Sequence, residues 1–370
     1  MHIAILGTRG IPASYGGFET FADELSQILV RRGHQITVFG RRRFGEQRET
    51  QLINGVTVRY APTIFSKHLE TPLAAVTSLL AVRRLRVDAV LLCNAANSPF
   101  GWLAKLPSIP LAINVDGIER KRSKWGRAGR LWYRLGERCS VWFADRVIAD
   151  ADFIAAYYRT HFGIEPYCIA YGARVERREP GPTLDQFGLK PRQYLLYVSR
   201  FEPENNALGV VQAYEQSGVQ LPLVMVGDAP YARDYIAQVH RAAGPRVIFT
   251  GYQFGDAYHE LQSHAYAYIQ ATEVGGTHPA LIEAMAHGNA IIANDVPEHT
   301  EVLADAGLYY ARNNFSDLSA MMMHLITNPS RVSGLRSAAA ARAAEHYGWE
   351  KVADQYEMLF RELVQKRKNG

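Results

Sequence analysis

A chain of 370 residues with 48% hydrophobic and 21% charged residues has room for two domains of ordinary size and the composition of a globular protein. No apolar run approaches the roughly 18 residues that cross a bilayer. Three scattered cysteines, Cys93, Cys139 and Cys168, make neither a metal spacing nor an even disulfide set, which predicts reduced thiols and a cytoplasmic setting. The net charge of +5 favours anionic partners without naming them.

The chain enters a short apolar strand at His2–Leu6 without a basic leading region, so no signal peptide is expected. A loop with four glycines follows from Gly7 to Thr20. Phe18, Phe21, Leu25, Ile28 and Leu29 then form one helical stripe, which Gly33 ends. The next strand covers 36–39 and leads to Arg41, Arg42 and Arg43. A dinucleotide site would carry a shorter glycine loop and an acidic residue at that strand end. Further strands are expected at 56–60, 89–92, Leu111–Asn114 and Arg146–Ala149, with helical segments between them. A polar, proline-containing linker is expected at 176–190. A second alternating series runs through 194–198, Leu223–Val226, 247–250, 267–269 and 290–293, and helices of good propensity close the chain over 315–366. Strands alternating with helices predict an α/β protein of two Rossmann-like, doubly wound domains, with ligands in the cleft at the strand C-termini. The expected division is 1–175 for an acceptor-side domain and 191–350 for a nucleotide-sugar domain, with a final helix over 351–370 packing back towards the first.

The chemistry concentrates between Val274 and Glu301. Val274-Gly275-Gly276 is a glycine turn feeding a helix that starts at Pro279, where free amides and the helix dipole attract an anion. Glu283 lies in the first turns, within reach of a ligand's hydroxyls, and Gly288 stands at the C-cap before an apolar strand. A negative ligand and a reader of polar groups in one place suggest a nucleotide-sugar site.

Glu283-Ala-Met-Ala-His-Gly288 followed by that strand resembles the donor-site signature of glycosyltransferase family 4, retaining enzymes of GT-B architecture. Tyr15-Gly-Gly-Phe-Glu-Thr20 and Val198-Ser-Arg-Phe-Glu-Pro-Glu-Asn-Asn206 fall where that family has its other signatures. The run Asn114–Trp125 and the segment Ile148-Ala-Asp150 are similar to a bacterial branch of rhamnosyltransferases that extend lipid-linked saccharides.

The resemblance implies a role for each motif residue. Arg200 binds the donor diphosphate, which suits a charge-assisted guanidinium contact. Gly16 and Gly17 bring backbone amides close to phosphate, and Glu283 accepts from the nucleoside sugar. Asn205 stands where the family usually has a lysine, and Arg9 is a candidate substitute for the lost charge. Gly275 stands where a second glutamate is usual, which leaves the transferred sugar to the amides of Gly275, Gly276 and Thr277; Glu273 need not be equivalent. A deoxy sugar such as rhamnose has one fewer hydroxyl to satisfy. Asp116 occupies the place of a frequent histidine and is read as an acceptor-side base or binder, or as a loop-capping aspartate. Catalysis then rests on Asp116, Arg200 and Glu283, with same-face attack giving retention.

Arg120, Lys121, Arg122, Lys124, Arg127, Arg130, Arg134 and Arg138 interleave with Trp125, Leu131, Trp132 and Tyr133. On charge alone this is a solvated helix face or a membrane contact; a lipid-linked acceptor favours an anionic membrane, with the protein peripheral on its inner face. No nucleic-acid module is recognisable. The histidines make no metal-binding spacing, so no metal and no cofactor are expected beyond the donor, for which dTDP-L-rhamnose leads over UDP- and GDP-sugars. An epimerase or phosphorylase on the same fold, or a non-catalytic sugar-nucleotide sensor, stays open.

Overall fold

The computed structural model describes residues 1–12, 16–41, 49–64, 69–106, 108–122, 125–174, 177–229 and 232–369. Tyr15, Arg42, Arg43, Lys124 and position 176 of the readings above lie outside these. The chain divides into two compact units, Met1–Gly172 with Trp349–Gly370, and Ala173–Gly348.

The first unit is built on strands β1 (His2–Leu6), β2 (Gln35–Arg41), β3 (Thr50–Ile53), β4 (Val56–Ala61), β5 (Ala89–Cys93), β6 (Leu111–Asn114), β7 (Arg146–Ala149) and β8 (Tyr167–Cys168), in the order β3-β4-β2-β1-β5-β6-β7-β8. Every pairing is parallel except β3 with β4. That exception is a hairpin closed by Asn54-Gly55, both at positive φ (50° and 82°), the pair a two-residue type I′ turn selects. β3 is absent from the sequence reading because an edge strand of half-exposed Thr, Gln and Leu lacks the apolar run of the buried strands. The order moves outward in both directions from β1 and β5, so the switch point of the sheet lies between them.

The second unit carries β9 (Leu195–Val198), β10 (Leu223–Val226), β11 (Val247–Gly251), β12 (Ala267–Gln270), β13 (Ala290–Asn294) and β14 (Leu308–Tyr310), all parallel, in the order β11-β10-β9-β12-β13-β14. Its switch point lies between β9 and β12. Every residue of β5, β6, β10, β12 and β13 is buried, as expected of parallel strands covered by helices on both faces. Each unit has its own core, one around Leu6, Leu92 and Ile113, the other around Leu195, Met225 and Ile292.

Two ties fix the ends of the units. The final helix, Trp349–Asn369, packs within the first unit: Phe21 lies against Trp349 and Tyr356, and Arg32 pairs with Glu350, Asp354 and Glu357. Within the second unit, buried Glu260 accepts from the amides of Gly181, Thr183 and Leu184 at 2.9, 3.2 and 2.9 Å, which holds the short helix Pro182–Gln186.

Candidate active site

In doubly wound sheets the crevice at the switch point, beyond the strand C-termini, is where ligands bind. In the second unit the segments leaving β9 and β12 flank that point. The first carries Arg200, the second runs through Thr272, Gly275, Gly276 and Thr277 into the helix Pro279–Ala286 that bears Glu283. Topology thus gathers in one unit the residues the sequence motifs singled out there.

Arg200 has a side chain 35% exposed and pairs only loosely with Glu202, at 3.9 Å. Its turn is braced from below. Asn205 Nδ2 donates to the Arg200 carbonyl at 2.7 Å, and the buried Tyr197 hydroxyl donates to the Asn205 carbonyl at 2.6 Å. The structure therefore places Asn205, itself buried, as a support for the Arg200 turn.

Imidazoles stand beside the glycine turn. A methyl group at Gly275, where the family resemblance expects a carboxylate, would come within 2.5 Å of the His278 ring, so the imidazole would have to turn aside for a side chain there. His278 Nε2 lies 3.2 Å from Thr272 Oγ1, which lies 3.0 Å from His299 Nε2 and accepts from Gln270 Nε2 at 2.7 Å. His299 Nδ1 donates to the Asn294 carbonyl at 2.8 Å, which leaves Nε2 as the acceptor for the Thr272 hydroxyl. Burial pushes the His299 pKa down to about 4, so this imidazole is neutral at physiological pH. These histidines belong to a hydrogen-bonded scaffold, and among the described residues no three His, Cys, Asp or Glu group as metal ligands.

Glu283 is half-buried and receives the Tyr258 hydroxyl on Oε2 at 2.5 Å. Tyr258 comes from the helix Gly255–His264, to which the sequence motifs assign no role. Its Tyr-x-x-x-Gln spacing places Gln262 one turn on, where Nε2 reaches the Tyr258 oxygen at 3.0 Å.

In the first unit, the loop after β1 leads to Gly16, the N-cap of helix Gly17–Arg31, in extended backbone. Glu19 does more there than complement the helix dipole: its buried Oε1 accepts the Arg9 amide at 2.8 Å and so ties the loop down. Gly7, at φ 90°, sits against the Cys93 carbonyl, where a methyl group would come within 2.2 Å. Arg9 itself is exposed.

Asp116 follows β6 at φ 56°, a left-handed position that aspartate and asparagine tolerate best. Its amide donates to Asn114 Oδ1 at 3.0 Å, and the Tyr171 hydroxyl donates to its Oδ1 at 3.2 Å. Burial, reinforced by the Glu119 carboxylate, pushes its pKa up to about 6 against the opposing pull of Arg122 and Tyr171. Such a carboxyl is poised to change protonation near neutral pH.

The basic segment divides into two faces. Arg120 is turned inward, with Nε 3.0 Å from Glu137 and a bond to the Tyr157 hydroxyl, and Arg122 pairs with Glu119 at 2.6 Å. Neither presents a free charge at the surface, which corrects their place in the expected membrane patch; the buried carboxylates Glu119 and Glu137 recruit them. Tyr133 is buried, and the Trp132 indole donates to the Ala96 carbonyl at 3.2 Å. The outer face of helix Arg127–Phe143 instead exposes Arg127, Arg130, Arg134 and Arg138 together with Leu131 (68%), Leu135 (41%) and Trp142 (66%). No helix among the described residues is long and apolar enough to cross a membrane.

Comparison with known proteins bears on these arrangements. The family model Glycosyltransferase Family 4 matches residues 15–175, and the model Glycosyl transferases group 1 matches residues 192–328. O-antigen chain mannosyltransferase B of Escherichia coli is 27% identical over 183 residues, a match spanning 47% of this chain and about half (47%) of that protein. Among solved structures, sucrose-phosphate synthase from Thermosynechococcus elongatus superposes with a TM-score of 0.84 at 19% identity, over 99% of each chain. HepE of Anabaena in complex with UDP-glucose gives 0.81 at 16% identity, over 98% of this chain and 100% of that one. These likenesses show the fold, GT-B, and the two family models between them reach into both units. The chain belongs to the family 4-like glycosyltransferases.

Proposed function

We propose that this protein is a retaining glycosyltransferase that moves a sugar from a nucleoside diphosphate sugar to a lipid-pyrophosphate-linked saccharide, with dTDP-L-rhamnose as the leading donor. The observation that carries the reading is that Arg200 follows β9 and Glu283 lies in the helix after β12, the two strands that border the switch point of the second sheet. Arg200 and the amides of the Gly275–Gly276–Thr277 turn take the diphosphate, where the chemistry of transfer concentrates negative charge. Glu283 accepts from the nucleoside sugar, through the 3′-hydroxyl that dTDP, UDP and GDP donors all carry. With no carboxylate at Gly275, backbone amides alone face the transferred sugar, which favours a sugar with fewer hydroxyls. In the first unit, Gly16 and Gly17 offer further amides to phosphate, and Asp116 receives or orients the acceptor hydroxyl. The leaving diphosphate takes the acceptor's proton on the same face, which gives retention. No metal enters this scheme.

The outer face of helix Arg127–Phe143, with four arginines among exposed Leu131, Leu135 and Trp142, supports a peripheral site on an anionic membrane, where such an acceptor resides. A second reading of the donor keeps the enzyme and changes the sugar to mannose, because the relative at 27% identity is named a mannosyltransferase.

Titration calorimetry with dTDP, UDP and GDP tests the donor. Preference for dTDP supports rhamnose, preference for GDP supports mannose, and binding of none removes the diphosphate site. Incubation of the donor with membranes and acceptor then separates the enzyme from its rivals: a sensor leaves the donor intact, an epimerase converts it without acceptor, and a phosphorylase requires phosphate.

A further inference from the structure

We infer that Tyr258 is a positioning residue for the donor site and that Gln262 and Asn289 set the direction of its hydroxyl. The inference rests on the reading of Glu283 as the group that takes the donor's nucleoside sugar. Asn289 is fully buried, and its Nδ2 donates to both the carbonyl and the Oε1 of Gln262, at 2.9 and 3.2 Å. Gln262, also fully buried, has its amide oxygen thereby occupied as an acceptor, so its Nε2 is the end that faces Tyr258 and donates at 3.0 Å. With one lone pair of the phenol taken, the hydroxyl hydrogen is left to point at Glu283 Oε2, 2.5 Å away. The order of donors is fixed along the whole chain of bonds, and it ends on an acceptor. Glu283 accordingly presents Oε2 as an acceptor in a position fixed by the Tyr258 hydroxyl. Its backbone is pinned as well, since the His287 ring nitrogen lies 2.8 Å from the Glu283 carbonyl. An acceptor fixed in this way takes a nucleoside-sugar hydroxyl without first giving up side-chain freedom.

Tyr258→Phe keeps the ring and removes only the hydroxyl. Loss of a hydrogen bond to a charged group predicts dissociation constants for dTDP, UDP or GDP, whichever the wild type binds, raised roughly tenfold or more. The donor KM is expected to rise with kcat little changed, because the group holds a carboxylate that binds ground state and transition state alike. Gln262→Leu is expected to act in the same direction. The decisive measurement is a double-mutant cycle: in a Glu283→Gln background, Tyr258→Phe has no further effect on nucleotide affinity. Additive losses in the cycle, or wild-type affinity in folded Tyr258→Phe, would overturn the inference. If Tyr258→Phe does not fold, the cycle is run with Gln262→Leu, on which the same outcomes decide. Failure here leaves Glu283→Ala still impaired in binding, whereas an unimpaired Glu283→Ala, or a wild type that binds none of the three nucleotides, defeats the donor-site reading and this inference together.

Discussion

Replacing Asp116 by asparagine is expected to stabilise the protein while removing activity. The side chain sits at φ 56°, which asparagine accepts as readily as aspartate, and an asparagine Oδ1 still takes the Tyr171 hydroxyl, now at 3.2 Å. The substitution thus removes the charge and little else. The wild-type carboxyl titrates at about 6 in the folded protein against an ordinary value of 3.8. That difference corresponds to up to ~3 kcal/mol of destabilisation carried by the ionised form. The sign follows from proton linkage: between these values the folded state binds more protons than the unfolded chain, so stability falls as pH rises from 3.8 through 6. Above about 6 the full penalty is present, and below 3.8 it vanishes. Urea unfolding at pH 4 and pH 8 should therefore show Asp116→Asn near wild type at the lower pH and more stable by 1–3 kcal/mol, as an order of magnitude, at the higher. Transferase activity should fall by about a hundredfold or more if the carboxyl serves the acceptor hydroxyl. A variant less stable than wild type at pH 8 refutes the argument, since it would mean that the carboxylate is welcome in its surroundings.

Other perturbations reach other parts of the molecule. Gly275→Ala drives a methyl group to within 2.5 Å of the His278 ring, so that imidazole must move off Thr272 Oγ1 to make room; a loss of roughly 1–3 kcal/mol in stability and weaker nucleotide binding are expected, by thermal melting and calorimetry. His299 carries the opposite pH signature to Asp116. Its pKa is held near 4 when folded, so its contribution is complete above 6.5 and is lost as pH falls towards 4, by up to ~3 kcal/mol. His299→Gln should flatten that part of the stability profile, and an unchanged acid slope would show that the imidazole does not drive it. On the outer face of helix Arg127–Phe143, Leu131→Glu combined with Trp142→Ala should reduce co-sedimentation with anionic vesicles and leave nucleotide binding intact. Arg120→Ala should instead destabilise the fold by about 2–4 kcal/mol, because it leaves buried Glu137 without its cation and with only the Tyr157 hydroxyl as side-chain donor among the described residues. Vesicle binding unaffected by the first pair would remove the membrane face.

The sequence by itself determined the α/β class and most of the strands, because parallel strands buried on both faces must be written as short apolar runs. β5, β6, β10, β12 and β13 all carry that mark. It missed β8 and β14, which are two and three residues long, and β3, whose exposed Thr50 and Leu52 leave no such mark, although the Asn54-Gly55 pair signalled the hairpin that holds it. Motif spacing brought Arg200 and Glu283 to notice, since both stand at fixed offsets from a strand or a glycine. Tertiary structure alone decided what surrounds them. Tyr258 and Gln262 act on Glu283 from a different helix, Asn205 turned out to brace the Arg200 carbonyl, and Arg120 and Arg122 are drawn inward by carboxylates. The difference is physical. Periodicity and chain punctuation record how each segment meets solvent and core, and those are local demands. A hydrogen-bond partner depends on which side chains the topology brings within 3 Å or so, and no local pattern in the sequence records that distance.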